Sequence, residues 1–348
     1  MAYLDEEMLK KQMKSGELSG VYLIHGDEPY LKKLYAEKLI SATVTPDFQD
    51  FNLHRFEKEA SVESIVSACE ALPMLSDHTC IVVRDMSPDE LNEADFNTLY
   101  DAVADMPETT RFVFWFDTLA VSSKPTSRVS KFIKLFAQRG SVVELKKRTG
   151  NSLLKPIVAG AQKRGCRMEM SVASYLVSIV GDNYNTLLNE LEKLCNYVSQ
   201  GEITKQTVDT ICIKSLEASA FDLAKALVAG NIESAFKTLD NLFVRKVEPS
   251  LIMGAIISAY VDMYRAKISV TCGFKAEHLA GAFNYRNKEF RLRNGARDAS
   301  RLSVDQLRRC LNELSAADLT LKTEYSDATG GRLAVEKVIV KLLLICNE

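Results

Sequence analysis

Residues 19–40 read SGVYLIHGDEPYLKKLYAEKLI, and the parsing of this stretch decides the fold. The apolar run Val21-Tyr22-Leu23-Ile24 stops at His25-Gly26 and gives way to the turn Asp27-Glu28-Pro29. Tyr30, Leu31, Leu34, Tyr35 and Leu39 then recur at helical spacing. Strand, tight turn and helix in that order mark the place where nucleotide-binding α/β folds hold phosphate. The turn is poorly equipped for that task. A phosphate-cradling loop needs glycines that turn backbone N–H groups inward, with a Lys and a Ser/Thr for phosphate and Mg²⁺. Here one glycine stands in the turn and no Lys-Ser/Thr pair follows, while Asp27 and Glu28 put negative charge where phosphate would sit. The position of an ATP site is kept and its chemistry is absent.

Outward from this unit, residues 1–147 alternate short apolar strands with helical stretches. Strands are expected at Val21–His25, Phe51–Phe56, Thr79–Asp85, Arg111–Asp117 and Ser141–Leu145, with helices near 29–41, 61–71, 88–104 and 126–138. Such alternation predicts a mostly parallel sheet covered on both faces. Continuous apolar runs such as Cys80–Val83 and Phe112–Phe116 suit its central strands, and Trp115, the only tryptophan, belongs to that core. Lys146-Lys147-Arg148-Thr149-Gly150 reads as a boundary. Beyond it the pattern is helical to the end, with a second break near Lys214–Ser219. This predicts a small helical domain over 148–213 and a helical bundle over 214–348. The longest bundle helices are expected at Pro249–Thr271 and Val304–Thr323.

The totals narrow the function classes. With 348 residues, 47% hydrophobic and 26% charged, the chain suits two or three ordinary globular domains. The acidic start does not suit a signal or transit peptide, and no apolar run approaches the ~20 residues that cross a bilayer. A net charge of −2 predicts no strong global attraction to nucleic acid and leaves only local basic patches. The eight cysteines include no C-x-x-C pair and the four histidines stand apart, so neither a disulfide framework nor a metal site is expected. Buried thiols in a reducing cytoplasm are the expectation.

Two further landmarks of a nucleotide site are incomplete. Asp117 ends a strand but is followed by Thr118 where a second carboxylate would hold Mg²⁺, and a lone Asp there reads as a helix or turn cap. The stretch GDNYNTLLNELEKL (181–194) resembles the lid helix of the AAA+ superfamily. In that superfamily the Gly-Asp turn leads into an Arg that senses γ-phosphate. Tyr184 or Asn185 stands there, and neither carries a fixed positive charge.

Taken together, four stretches resemble the delta subunit of bacterial DNA polymerase III, a member of the sliding-clamp loader. They are Val21–Leu31, with its Gly-acidic-acidic-Pro turn and aromatic-Leu pair; Leu72-Pro73-Met74-Leu75 ahead of Cys80–Arg84; the lid stretch; and Ala218-Ser219-Ala220-Phe221-Asp222-Leu223-Ala224. The resemblance covers nearly the whole chain. It implies a degenerate AAA+ α/β domain (1–147), a helical lid (148–213) and a helical collar (214–348), with no cofactor and no ATPase activity of its own. The implied partners are the beta sliding clamp, the clamp-loader ATPase (gamma/tau) and delta-prime subunits, and primed DNA. The implied clamp contact is Met74-Leu75, with Leu72 and Pro73 shaping its approach; the family often carries a large aromatic in that pair, and this chain does not. Without the resemblance, the same pair reads as core at a helix-to-strand junction.

Two basic stretches bear on DNA. Lys124, Arg128, Lys131 and Lys134 recur at helical spacing, and Arg286, Lys288, Arg291, Arg293 and Arg297 interleave with Phe283, Tyr285 and Phe290. Because clamp loaders wrap primed DNA, the resemblance makes Lys124, Arg128, Lys131, Arg291 and Arg293 candidates for phosphate contact. By charge alone such runs are solvated helix faces. Two readings compete with a non-catalytic loader subunit. An active AAA+ ATPase would have to hold nucleotide without a Lys-Ser/Thr pair, and a structural adaptor would make no use of the Met74-Leu75 tip.

Overall fold

The strand–turn–helix unit of residues 19–40 lies inside a parallel sheet in the computed structural model of the chain, which describes residues 3–119, 121, 122, 124–283, 285, 289–324 and 328–348. The described chain divides into two compact units, Met1–Arg148 and Thr149–Glu348.

In the first unit the elements run β1 (Tyr3–Leu4), α1 (Glu6–Ser15), β2 (Val21–His25), α2 (Pro29–Thr43), α3 (Gln49–Asn52), β3 (Leu53–Phe56), α4 (Val62–Cys69), β4 (Thr79–Arg84), α5 (Glu93–Ala104), β5 (Thr110–Trp115), α6 (Ser127–Arg139) and β6 (Ser141–Glu144). The six strands form one sheet in the order β1-β6-β2-β5-β4-β3, and every neighbouring pair is parallel. Registers such as Val21↔Phe112, Ile81↔Phe112 and Leu53↔Cys80 align the strand starts along one end. On one face, Val21, Leu23, Ile81, Val83, Phe112 and Phe114 pack with Ile65, Phe96, Leu99, Phe132 and Phe136 of α4, α5 and α6. α2 lies against β4 and β5 and buries Leu31, Tyr35, Leu39 and Ile40. A sheet covered on both faces explains why its strands read as unbroken apolar runs. Trp115 is buried, as expected for core.

Several boundaries differ from expectation, among them the end of β5, at Trp115 and not Asp117, and the end of β6, at Glu144 and not Leu145. Phe51 and Asn52 end the short helix α3, so the strand expected from Phe51 begins at Leu53. β4 ends at Arg84 because Asp85 takes φ +55°, which removes it from the strand.

The second unit comprises α7 (Gly150–Lys163), β7 (Arg167–Met168), α8 (Met170–Val180), α9 (Tyr184–Val198), β8 (Glu202–Ile203), α10 (Lys205–Ile211), α11 (Leu216–Val228), α12 (Ile232–Val244), α13 (Pro249–Thr271), α14 (Glu289–Asp298), α15 (Val304–Thr323) and α16 (Ala328–Cys346). It is helical except for the short parallel pair β7–β8, a departure from the all-helical expectation. Helix starts follow the capping chemistry. Asn183 accepts from the Thr186 amide, Ser215 accepts from the Ala218 amide, and Ser303 with Gln306 forms a capping box. Around α13 a core of Leu223, Leu227, Leu239, Ile252, Ile256, Tyr260, Leu307, Leu314, Val335 and Leu342 joins α11, α12, α15 and α16. No described helix is long and apolar enough to cross a membrane.

Candidate functional site

Open parallel sheets take ligands at the carboxyl ends of their strands, where His25, Asp85, Asp117 and Leu145 lie. That corner is filled by the chain itself. Gly26 has φ +127°, and a β-carbon there would come 2.2 Å from the Leu145 carbonyl oxygen, so the turn is pressed onto the exit of β6. The Glu28 amide donates to that same carbonyl at 3.2 Å. Burial pushes the Glu28 carboxyl above the usual carboxylate range, against the pull of Lys147 and Arg148.

Lys32, one turn into α2, is only 3% exposed, and its Nζ donates to the Asp117 carbonyl oxygen at 2.8 Å. Burial lowers its ammonium below the usual lysine range, while Asp117, Asp85, Asp27 and Glu28 pull it back. The Asp85 carboxylate accepts from the amides of Asp117 (2.7 Å), Thr118 (2.9 Å) and Leu119 (3.3 Å) and from the Thr118 hydroxyl (2.9 Å). Burial pushes Asp85 upward, but these hydrogen bonds together hold it below the usual range. The Asp117 carboxylate pairs with Arg84 at 2.5 Å, and that guanidinium lies 5.4 Å from the centre of the Trp115 ring.

Asp117 is therefore an ion-pair partner and not the cap expected of it. The residue that caps the loop is Asp85, which the sequence reading passed over. Lys32 was also missed, although the spacing could have found it. Counting from Gly26, the run Gly-x4-Leu31-Lys32-Lys33 has phosphate-loop spacing, with Leu at the second glycine and Lys at the Ser/Thr. The lysine is present and bound to a protein carbonyl. In the second unit, of the two residues expected at the place of a phosphate-sensing Arg, Tyr184 is buried just after the α9 cap and Asn185 is exposed. Among the described residues no cluster of His, Cys, Asp and Glu is arranged to hold a metal ion.

The opposite, amino end of the sheet is built differently. α4 runs out at Cys69, whose carbonyl accepts the Thr110 hydroxyl at 2.9 Å, and the chain re-enters the sheet at Thr79. Between them Leu72 is 80% exposed, Met74 56% and Leu75 81%, with Pro73 half-buried. The reading of these residues as core is thus excluded. The loop is nonetheless fixed. Asn52, fully buried at the end of α3, accepts from the Met74 amide at 2.7 Å and donates to the Met74 carbonyl at 2.8 Å. Leu75 follows at φ +55°, a conformation that costs a side chain of this size about 1–2 kcal/mol. The preceding residue on α3, Phe51, is exposed as well. An exposed apolar group in a held conformation suits docking better than chemistry.

Of the basic candidates, two are engaged by the fold of their own unit. Arg128 donates to the Leu91 carbonyl at 2.6 Å and covers the Phe96 ring. Arg291 donates to the buried Asp262 carboxylate at 2.6 Å and to the Ser258 hydroxyl at 2.7 Å, pinning α14 to α13. Both guanidinium groups are thus engaged with protein acceptors while remaining partly exposed. Lys124 and Lys131 are exposed, and exposed Arg293 faces Glu277 at 3.4 Å. Arg286 and Lys288 lie outside the described residues.

Comparison with known proteins agrees with this architecture. The family model "DNA polymerase III, delta subunit" matches residues 22–146, and "DNA polymerase III delta subunit, C-terminal domain" matches 217–342. DNA polymerase III subunit delta of Bacillus subtilis is 23% identical over 96% of this chain and 95% of its own. The Escherichia coli subunit is 20% identical over 96% of this chain and 94% of its own. The solved Bacillus subtilis clamp-loader delta protein superposes with a TM-score of 0.64 at 22% identity, covering 97% of this chain and 98% of that one. With the α/β unit and the helical unit each matched by a model of the same subunit, the chain belongs to the DNA polymerase III delta-subunit family.

Proposed function

We propose that this chain binds and opens the beta sliding clamp as a non-catalytic subunit of the clamp loader. The observation that carries this reading is the exposed, conformationally held tip Leu72-Pro73-Met74-Leu75 at the amino end of the sheet. Buried in a pocket, Met74 and Leu75 would each contribute about 1.5–3 kcal/mol, enough for a small cluster to dominate an interface. Tip binding that is tighter to a distorted, open clamp than to the closed one shifts the clamp toward opening without bond chemistry.

The filled corner supports the non-catalytic half of the reading. Lys32 is bound to the Asp117 carbonyl, and the Gly26 turn is pressed against Leu145. Nucleotide control then belongs to the gamma/tau and delta-prime partners, and this chain on its own binds clamp without ATP. We assign residues 1–147 to clamp contact, 148–213 to a lid and 214–348 to an oligomerising collar. The exposed Leu333, Val340 and Leu344 of α16 suit packing against neighbouring collars. Phosphate contact with primed DNA falls first to Lys124, Lys131 and Arg293, the exposed ones among the five candidates Lys124, Arg128, Lys131, Arg291 and Arg293.

The test is calorimetry of the full chain with its cognate clamp, without nucleotide. Binding confirms the reading. Binding only in the presence of ATP would return the active-ATPase alternative, and no binding in either condition would leave the adaptor reading in front.

A further inference from the structure

We infer that Asn52 is the positioning residue of the tip, holding it in its docking conformation before any partner arrives. The inference rests on the clamp-docking reading and adds to it how the site is set.

Local hydrogen bonds hold the ends of residues 70–78, where the Ser76 hydroxyl donates to the His78 carbonyl at 3.3 Å and the Thr79 hydroxyl to the Ala71 carbonyl at 3.4 Å, but neither reaches Met74. Leu72, Met74 and Leu75 are exposed, and Leu75 sits at φ +55°, so neither local packing nor backbone preference selects the conformation. Selection comes from a side chain 22 residues earlier in the chain. A carboxamide carries one acceptor oxygen and two donor hydrogens. The Asn52 oxygen takes the Met74 amide at 2.7 Å, and its nitrogen serves the Met74 carbonyl at 2.8 Å and the Phe48 carbonyl at 3.2 Å. The partners leave no choice of amide orientation, because an N–H must meet the oxygen and two carbonyls must meet the nitrogen. The pair on Met74 copies the exchange between two strand residues, so the side chain acts as one rung of a ladder. Because Asn52 is fully buried and the next residue enters β3, the rung is rigid relative to the sheet.

Asp in its place would keep the acceptor for the Met74 amide and turn a carboxylate oxygen toward two carbonyls. Ala would release both Met74 groups to solvent. In either variant the tip samples other conformations, and only the competent fraction docks. Apparent affinity falls by that fraction, and the loss lies in the association rate because the docked complex is unchanged.

The experiment measures clamp binding kinetics and amide hydrogen exchange on the full chain as wild type, Asn52→Ala and Asn52→Asp. The expected result has three parts. Wild type protects the Met74 amide even without clamp; both variants lose that protection; and both associate about tenfold more slowly with dissociation unchanged, the scale of one or two net hydrogen bonds. A residue that only stabilised the fold would lower the urea midpoint and leave the association rate of the folded fraction alone. Wild-type association rates in both variants would overturn the inference, as would an unprotected Met74 amide in the wild-type chain. Absence of wild-type binding would instead remove the docking reading itself, with Met74 protection still reporting whether Asn52 holds the loop. Should Asn52→Ala fail to fold, the near-isosteric Asn52→Asp carries the measurement.

Discussion

At the carboxyl end of the sheet, Lys32, Asp85 and Asp117 find their partners within the chain; at the amino end, Phe51, Leu72, Met74 and Leu75 stand exposed. The two ends share β4, which starts just beyond the tip and finishes at the corner. Their physics is opposed. In the corner, charges that would have held a phosphate and a metal ion are neutralised by a carbonyl, three amides and an arginine. That arrangement stabilises the fold and engages these groups within the chain. At the tip, apolar area that could have been buried is left in water, so its free energy is recovered only when another molecule covers it. Under the proposed docking reading, the working surface lies at the end of the sheet where α/β ligand sites are not usually found.

Truncating the tip should give the largest effect and separate the two ends most sharply. Met74→Ala/Leu75→Ala is expected to weaken clamp binding more than a hundredfold, from about 1.5–3 kcal/mol per side chain. Its urea unfolding should stay within about 0.5 kcal/mol of wild type, because both residues are exposed. Calorimetry and denaturation on the same samples give both values. Retained binding would move the contact elsewhere.

Corner substitutions should show the reverse pattern. Asp85→Ala leaves three amides and a hydroxyl without their acceptor, a loss of about 2–3 kcal/mol in urea unfolding with clamp affinity unchanged. The pH dependence follows from the depressed Asp85 value. Its contribution is complete above the ordinary aspartate range and is lost as pH falls through the lower folded-state value. The wild-type advantage over Asp85→Ala should therefore shrink in acid; an advantage that grew there would contradict the assignment. Lys32→Met frees the Asp117 carbonyl, for a smaller loss of about 1–2 kcal/mol. Phe51→Ala, at the edge of the tip, should weaken clamp binding only about fivefold, as residues around a hot spot do, and titration calorimetry resolves that difference.

How far these two ends could be read from sequence depends on where the determining contacts lie. Helices α13 and α15 were legible to the residue because Pro249 and the Ser303–Gln306 box mark their starts locally. The two-residue strands β1, β7 and β8 were not, since two residues carry no period. Helix α3 is a single turn and was absorbed into the strand after it. At the site, Leu72–Leu75 came from family resemblance alone. An apolar run before a strand reads as core, and the contact that ties Met74 to Asn52 spans 22 residues, beyond the reach of any local pattern. Asp85 and Lys32 were missed for the same reason: each acts on the loop after β5, more than 30 residues away in sequence.

The sharpest remaining test is one in which nothing should happen. A ligand present at a hundred times its dissociation constant stabilises a folded chain by about 2.7 kcal/mol. In a unit of 150–250 residues each kcal/mol raises the melting temperature by about 2–4 °C. Millimolar ATP with Mg²⁺ is therefore a sensitive probe of the corner, and no measurable shift is expected, because phosphate would have to displace the Gly26 turn from Leu145 and Lys32 from Asp117. Lys32→Met should not create a response, since it removes the lysine a phosphate would need and leaves Glu28 buried beside the same turn. A shift of several degrees in the wild-type chain would mean that the corner opens to nucleotide. Opening would loosen the loops that follow β4 and β5, and β4 begins at the tip. The two ends would then be coupled through that strand, and clamp affinity would have to change with ATP in the same titration.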